Sequence, residues 1–198
     1  MVLWTVQSIA AWHALQLSGH LRGDPRYIED DFLSAYIWMA KQMHERLGFR
    51  PSENSLPVWA WYQWQGAKRQ KPDLRSGGHL PKGERGVRIE IELGDSLVLL
   101  SDFELWHYVL NYWYLPSSEE EGEAFELELA KHRLSFFKTK PLPSPVYHKK
   151  IEESWTRIFN TEWAEEGLAC TKAEKSLQAT FWELSLDHVK SVREFIAR

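Results

Sequence analysis

The stretch VRIEIELGDSLVLLSDFELWHYVLNYWYL, which runs from Val87 to Leu115, carries the strongest structural signals in the chain. Apolar and charged residues alternate over Val87–Leu93, and this period of two is typical of a half-buried strand. A Gly-Asp pair follows, which is turn chemistry. The apolar run Leu97–Leu100 then predicts a short strand covered on both faces. The stretch therefore begins with two predicted strands joined by a turn.

A buried helix is predicted after the second strand. Ser101 is followed three residues later by Glu104, which is the spacing of a capping box, and the helix is expected to run to Leu115, where a proline ends it. Glu104, His107 and Asn111 fall on one line of this helix, at spacings of three and four. Because buried polar groups need partners, this line predicts either a polar network or a ligand site.

Length and composition indicate a single domain over residues 1–198. We divide it into a core (1–115), an acidic helix with a Pro-rich linker (116–146), and a C-terminal helix, late strand and closing helix (147–198). A hydrophobic content of 43% supplies a sizeable core, and no apolar run is long enough to span a bilayer. The net charge of −4 gives no general reason to bind nucleic acid. The lone Cys170 fits a reducing cytoplasm.

The remaining periodic segments predict an α+β fold. We expect short mixed or antiparallel sheets of about five strands, packed with about five to six helices. The predicted strands outside the central stretch are Val2–Val6, Pro57–Trp64 and Leu177–Leu184. The predicted helices outside it are Ile9–Leu17, a segment from Asp30 or Asp31 to Leu47, a segment within 117–137, Tyr147–Asn160 and Leu186–Ala197.

The chain holds eleven tryptophans, and several lie in one predicted strand. Alternation along PVWAWYQW, residues Pro57–Trp64, puts Trp59 and Trp61 on one face and Tyr62 and Trp64 on the other. One interpretation is a central strand packed by helices. The other is that one of these rings lines a pocket for a planar group.

A basic loop lies between this strand and the central stretch. Residues 65–85, QGAKRQKPDLRSGGHLPKGER, contain six Lys and Arg against one Asp and one Glu, a charge of +4, so the rest of the chain sums to −8. A positive segment on an acidic protein predicts an anionic ligand. Arg75 can hold a phosphate through its planar guanidinium. Alternatively, Asp73 and Arg75 pair with the rest of the fold and pin the loop, or the loop charges are only solvated.

Glu183 is the candidate catalytic carboxylate. In the predicted strand Leu177–Leu184 it shares a face with Ala179 and Phe181, where a carboxylate is costly unless it is paired or catalytic. Exposure at the end of the strand is the alternative. No Cys/His signature surrounds Cys170, and the eight histidines form no metal-binding motif.

Several strings in the chain resemble a bacterial family known only as a domain of unknown function, DUF3841. The resemblance covers most of the chain, and the family name implies no activity. The strings are Leu3–Gln7, Lys71–Arg75, Leu99–Phe103, Trp106-His107 and Leu110-Asn111.

The start of the chain also resembles small ADP-ribosyltransferases of the toxin and RNA 2′-phosphotransferase kind. The similarity lies in an opening strand, a short helix and the step Gly19-His20-Leu21. Such enzymes cradle NAD in a cleft between short sheets. An early His or Arg holds the cofactor, a middle aromatic stacks on nicotinamide, and a late-strand Glu aligns the ribose. The resemblance implies that Tyr62 or a neighbouring Trp is the aromatic and that Glu183 is the late Glu.

The early position departs from that pattern. Thr5 stands where His or Arg is expected, with Gln7 beyond it, unless Arg75 supplies the cofactor grip. Such a site stabilises an oxocarbenium-like centre electrostatically, and a neighbour such as Gln178 or Asn111 is expected to hold the carboxylate. The candidate catalytic residues are therefore Glu183 and Gln178. The candidate residues for binding the NAD cofactor are Thr5, Gln7, Tyr62, Asp73, Arg75, His107 and Asn111.

Three classes of function remain open. The first is a cytoplasmic protein that binds a nucleotide-like anion, as an NAD-using, ADP-ribosyltransferase-like enzyme of a toxin or phage-defence type. The second is a non-catalytic nucleotide- or RNA-binding module that uses the basic loop and the Trp strand, and its binding would weaken steeply with salt. The third is a protein-interaction module that uses the acidic helix.

Overall fold

The computed structural model describes residues 1–198 as an α+β fold with two antiparallel sheets and five α-helices. The strands are β1 (Val2–Ser8), β2 (His20–Arg22), β3 (Val58–Gln63), β4 (Arg85–Glu92), β5 (Leu99–Asp102), β6 (Leu177–Phe181), β7 (Glu183–Ser185) and β8 (Val189–Ile196). The helices are α1 (Ile9–Ser18), α2 (Asp30–Leu47), α3 (Phe103–Leu110), α4 (Glu119–Lys131) and α5 (Pro145–Ser154). The large sheet has the order β5-β6-β3-β1-β4-β8, and β2 pairs with β7. None of the helices is both long and apolar enough to cross a membrane.

The two faces of the large sheet are covered by different elements. One face, called here the α1 face, carries Leu3, Ile89 and Ala179, which pack with Leu15 of α1 in a core of 12 buried residues. The opposite face, called the α2–α3 face, packs against a core of 20 buried residues that includes parts of α2, α3 and α5. Among the strand residues of this face, Trp59 and Leu99 pack against this second core.

The first two helices begin and end where the sequence predicts. Ser8 caps α1 by accepting a hydrogen bond from the Ala11 amide at 3.1 Å, and Gly19 ends the helix with φ +79°. That left-handed conformation is the one that glycine adopts without strain. Gly48 ends α2 in the same way, with φ +73°.

The central stretch confirms its first strand and corrects its helix. Val87–Leu93 alternates as predicted within and just beyond β4, but the capping residue of α3 is Asp102 and not Ser101. The Asp102 carboxylate accepts hydrogen bonds from the amides of the first helical turn, at 3.0 and 3.3 Å. Ser101 still belongs to β5, where it pairs with β6. The helix ends at Leu110 and not at Leu115, because the chain turns at Tyr112, whose φ is +59°.

The end of the chain differs most from the sequence prediction. Residues 186–197, predicted as a closing helix, form a short 3-10 turn and then strand β8 at the edge of the sheet. The predicted strand Leu177–Leu184 is broken at Trp182, so that β6 lies in the large sheet and β7 in the small one. Glu183 therefore does not lie on the apolar face of β6. The fold has eight strands where about five were expected.

Candidate functional site

The candidate site is a row of side chains that crosses four strands on the α2–α3 face. Trp4 of β1 lies opposite Trp61 of β3, Trp61 lies opposite Gln178 of β6, and Gln178 lies opposite Ser101 of β5. Directly opposed residues of antiparallel strands project to the same face. Trp4, Trp61 and Gln178 are half-buried, while Ser101 is fully buried. We call these four residues the Trp–Gln row.

Aromatic rings of α3 border the row on one side. The ring of Phe103 lies edge-on to Trp61, with their centroids 4.9 Å apart, and the ring of His107 lies 4.9 Å from that of Phe103. These distances are in the range of favourable aromatic contacts. Phe103 is the first residue of α3 and directly follows the capping residue, so the cap of the helix positions the Phe103 ring.

A carboxylate and a lysine lie at the other end of the row. Glu90 of β4 lies opposite Trp4, and its Oε2 accepts a hydrogen bond from the indole Nε1–H of Trp4 at 3.1 Å. Lys71 of the basic loop places its Nζ 3.6 Å from the same oxygen. The basic loop therefore brings positive charge to the Trp4 end of the row.

Buried polar atoms without partners lie at the Ser101 end. The Ser101 hydroxyl and the Gln178 side-chain carbonyl are both buried, and neither makes a hydrogen bond within the protein. Buried polar groups are nearly always paired, so each such atom needs an explanation. Their place in one row beside the half-buried indole of Trp61 makes them candidates for contacts with a ligand.

A buried ion pair supports this end of the row. The Lys175 Nζ lies 2.8 Å from the Asp102 Oδ2, and both side chains are almost completely buried. The other oxygen of Asp102 caps α3, and the Gln63 amide donates to the Lys175 carbonyl at 2.7 Å. The pair thus ties the start of β6 to the start of α3, and it fixes where Gln178 and Phe103 lie relative to each other.

The basic loop is attached to the rest of the fold at several points, while most of its residues are exposed. The Gly66 and Ala67 amides donate to the carbonyls of Lys175 and Ala173, at 3.2 and 2.8 Å. The buried guanidinium of Arg88 donates to the Pro72 carbonyl at 2.5 Å, and burial lowers the pKa of Arg88. Lys71 therefore lies on an anchored segment.

Asp73 and Arg75, predicted to grip a phosphate or pin the loop, pair with each other. Arg75 Nε donates to one Asp73 oxygen at 3.0 Å and Arg75 Nη2 to the other at 2.6 Å. Hydrogen bonds from Arg75 hold the pKa of Asp73 well below its usual range. The Arg75 side chain is 79% exposed, and the hydrogen bonds of its guanidinium are made to Asp73.

Thr5, Gln7 and Tyr62, predicted to bind a cofactor, lie on the α1 face. The Thr5 hydroxyl donates to the Trp59 carbonyl at 2.8 Å and accepts from the Gln7 amide at 2.7 Å. Tyr62 packs against the core of that face. The structure brings these three residues close together along adjacent strands, but on the side opposite the row.

His107 and Asn111 bond mainly within their own helix. A ring nitrogen of His107 lies 3.1 Å from the Phe103 carbonyl, and the Asn111 amide donates to the His107 carbonyl at 2.9 Å. Of the two predicted alternatives for this line of α3, these bonds fit the polar network. Only His107 reaches the border of the row.

Glu183, the predicted catalytic carboxylate, lies in the small sheet. Its Oε2 accepts from Arg22 Nε at 2.6 Å, and its Oε1 lies 2.8 Å from His20 Nδ1. The Glu183 side chain is 29% exposed. Gln178, predicted to act with it, lies in the large sheet as part of the row, so the two candidate catalytic residues belong to different sheets.

Two surface cavities have no residue of the Trp–Gln row in their linings. A cavity of about 560 Å³ lies between α4 and α5, and its Glu121 is already bonded to Tyr114 and Arg157. A cavity of about 420 Å³ next to α3 is lined by Asp102, Glu104 and Cys170 among others. Burial raises the pKa of the Cys170 thiol. No group of three or more His, Cys, Asp or Glu side chains is arranged to hold a metal ion.

Sequence reasoning missed Trp4, Ser101, Phe103, Glu90 and Lys71 as residues of the site. Alternation along β1 predicts that Trp4 and Thr5 lie on opposite faces, but the pairing with β3 is needed to place Trp4 beside Trp61. Glu90 was one of several charged residues on the outer face of its strand. Lys71 was counted within the basic loop, but its contact with Glu90 depends on tertiary structure that no local pattern contains.

Comparison with known proteins identifies one related family. A family model described as Domain of unknown function (DUF3841) matches residues 2–190. No curated protein matches the chain significantly, and neither does any solved structure.

Proposed function

We propose a function for this chain, which belongs to the DUF3841 family: it binds a nucleotide-like ligand on the Trp–Gln row. The observation that carries the proposal is the arrangement of half-buried indoles beside unpaired, buried polar atoms on one face of the sheet. Planar rings stack on aromatic side chains, and hydrogen-bonding groups beside them fix orientation and identity.

The row can recognise a base in two ways. Trp61, held edge-on by Phe103, offers an indole for stacking. The Gln178 amide and the Ser101 hydroxyl lie next to it along the row and can pair with the polar edge of the base. A hydrogen bond from the ligand to either side chain would satisfy a buried group that has no partner within the protein.

The basic loop supports recognition of a phosphate. Its net charge of +4 stands against −8 for the rest of the chain, and Lys71 lies at the Trp4 end of the row. An anionic group next to Trp4 would therefore lie near the ammonium group of Lys71. A free phosphate and the backbone of a short RNA share this chemistry, and salt dependence separates them.

The positions of the row residues along the chain can be compared with those of the site residues in ADP-ribosyltransferases. In those enzymes an early, a middle and a late strand supply the cofactor grip, the stacking ring and the catalytic Glu. The row takes one residue from each such strand here, which are Trp4, Trp61 and Gln178. A neutral amide stabilises a developing positive charge less than a carboxylate does. This difference favours binding of NAD or a related nucleotide over its turnover at the row.

The test is isothermal titration calorimetry with NAD, ADP and a short single-stranded RNA. Trp61→Ala is expected to weaken nucleotide binding about 5- to 150-fold, since stacking contributes about 1–3 kcal/mol per base. Trp12→Ala is the matched control, because Trp12 is also half-buried but packs on the α1 face. Unchanged affinity in Trp61→Ala, with native circular dichroism in both variants, would contradict the proposal.

NAD-consuming transfer through Glu183 is a second candidate function. It is favoured by one observation, which is that Arg22 and His20 hold this partly exposed carboxylate in a fixed position. If Glu183 aligns a ribose, Glu183→Gln removes NAD turnover and leaves the Kd for NAD within a few-fold. Because Glu183 is already paired with a cation, we rank this candidate second. Turnover that is equal in the wild type and in Glu183→Gln would exclude it.

A further inference from the structure

The row continues past Trp4 to a carboxylate that the proposed function does not yet use. Glu90 lies opposite Trp4, so the same face carries Ser101, Gln178, Trp61, Trp4 and Glu90 in adjacent strands. Adjacent strands are spaced about 4.8 Å apart, which puts Glu90 about 10 Å from Trp61 along the row. Trp4 lies between them.

The Glu90 carboxylate is held on one side and free on the other. Its Oε2 accepts from the Trp4 indole at 3.1 Å and lies 3.6 Å from Lys71 Nζ. No hydrogen bond to its Oε1 is formed within the protein, and the side chain is 29% exposed. A fixed carboxylate with one accessible oxygen is a good acceptor for hydroxyl groups.

The order of groups along the row matches the order of parts in a nucleotide. Polar acceptors and donors come first, then the stacking indole of Trp61, then Glu90, and finally Lys71 beside it. In a ribonucleotide the sugar lies between the base and the phosphate. A base on Trp61 with its phosphate near Lys71 would therefore place its sugar above Trp4, within reach of Glu90.

We propose that Glu90 accepts a hydrogen bond from the ribose hydroxyls and makes the site selective for ribonucleotides over 2′-deoxyribonucleotides. This inference rests on the proposed function, since it assigns a role to a residue of the same row. An acidic side chain that accepts from the 2′-hydroxyl is an established way to read a ribose. Lys71, which lies 3.6 Å from the Glu90 carboxylate, would offset the repulsion between that carboxylate and the ligand phosphate.

The experiment compares matched ligands that differ by one hydroxyl. AMP and 2′-deoxy-AMP, with UMP and 2′-deoxy-UMP as the pyrimidine pair, are titrated into the full chain by calorimetry. The wild type is expected to prefer the ribonucleotide about tenfold, the typical effect of a hydrogen bond to a partly exposed charged group. In Glu90→Ala this preference is expected to fall to nearly one.

Two control variants separate reading of the ribose from a structural role. Glu92 is a second glutamate of the same strand, two residues from Glu90, and it pairs with Lys190 at 2.7 Å. Glu92→Ala is therefore expected to keep the preference for ribonucleotides. Lys71→Ala is expected to weaken ribo- and deoxyribonucleotides equally. A merely structural role for Glu90 would likewise change both affinities together and leave their ratio at about ten.

The outcomes distinguish this inference from the function on which it rests. If the wild type binds both ligands of each pair equally, or if Glu90→Ala keeps the preference, the role of Glu90 is wrong, while binding that depends on Trp61 still stands. If no nucleotide binds to the wild type, the proposed function fails and the role of Glu90 falls with it.

Discussion

The ion pair between Asp102 and Lys175 is the most deeply buried charged contact among the salt bridges of this protein. The two side chains are 3% and 0% exposed and 2.8 Å apart. A charge removed from water costs several kcal/mol, and the partner offsets this cost only while both are present. The same carboxylate caps α3, so a single contact positions both the helix that borders the site and the strand that carries Gln178.

Lys175→Met is expected to destabilise the protein by about 3–5 kcal/mol, because it leaves the Asp102 carboxylate buried and unpaired. Adding Asp102→Asn is expected to recover part of that loss, since the amide still accepts the capping bonds but carries no charge. Urea unfolding followed by circular dichroism measures both. As a control, Lys149→Met breaks an exposed pair with Glu153 and is expected to cost less than about 1 kcal/mol. A Lys175→Met protein as stable as the wild type would show that the pair contributes little.

Single residues also show why the sequence alone does not predict which side chains form the site. Thr5 and Trp4 are neighbours in β1, yet they lie on opposite faces, because strand side chains alternate. A resemblance between sequences assigns roles by position along the chain. An error of one residue in that assignment places the role on a side chain of the opposite face. The register with β3 and β6 is needed to see that Trp4, and not Thr5, shares a face with Gln178.

At the scale of elements, patterns with strong local signals were predictable. The alternation within β4 and the serine and glycine that flank α1 each depend on neighbours in sequence, so the sequence contains the information. Strand β8 has no such local signal in its sequence. Its apolar residues Val189, Val192, Phe195 and Ile196 are spaced by three, three and one, which fits a helix, and its exposure at the sheet edge removes the alternation that a half-buried strand shows.

The break between β6 and β7 was also beyond local prediction. The sequence LQATFWEL reads as one strand, but Trp182 leaves the sheet and its indole donates to the Phe49 carbonyl at 2.8 Å. That partner is more than 130 residues away in the chain. The contact moves Glu183 into a second sheet, and it shows why the candidate catalytic pair could not be placed from the sequence.

For the whole molecule, the chain order and the spatial order of the strands differ. β6, from the C-terminal part of the chain, is inserted between β5 and β3, and β8 extends the sheet beyond β4. The two cores lie on opposite faces of this shared sheet. Strands from the predicted segments 1–115 and 147–198 therefore share one sheet, and we expect all 198 residues to unfold together.

Substitutions in the two cores test this expectation of a single cooperative unit. Ile89 belongs to the core on the α1 face and Ile151 to the core on the other face, and both are completely buried. Replacing either with alanine is expected to cost about 2–5 kcal/mol, through lost apolar burial and the cavity left behind. Because each core rests on the same strands, each variant is expected to show one transition, displaced to lower urea, in both tryptophan fluorescence and far-ultraviolet circular dichroism.

Ile37→Ala, at a position that is 51% exposed, is expected to change stability by less than about 0.5 kcal/mol. Ile151→Ala could instead show two transitions, the second with the circular dichroism of the strands and the urea midpoint of the wild type. That result would mean that the helical side unfolds independently of the sheet.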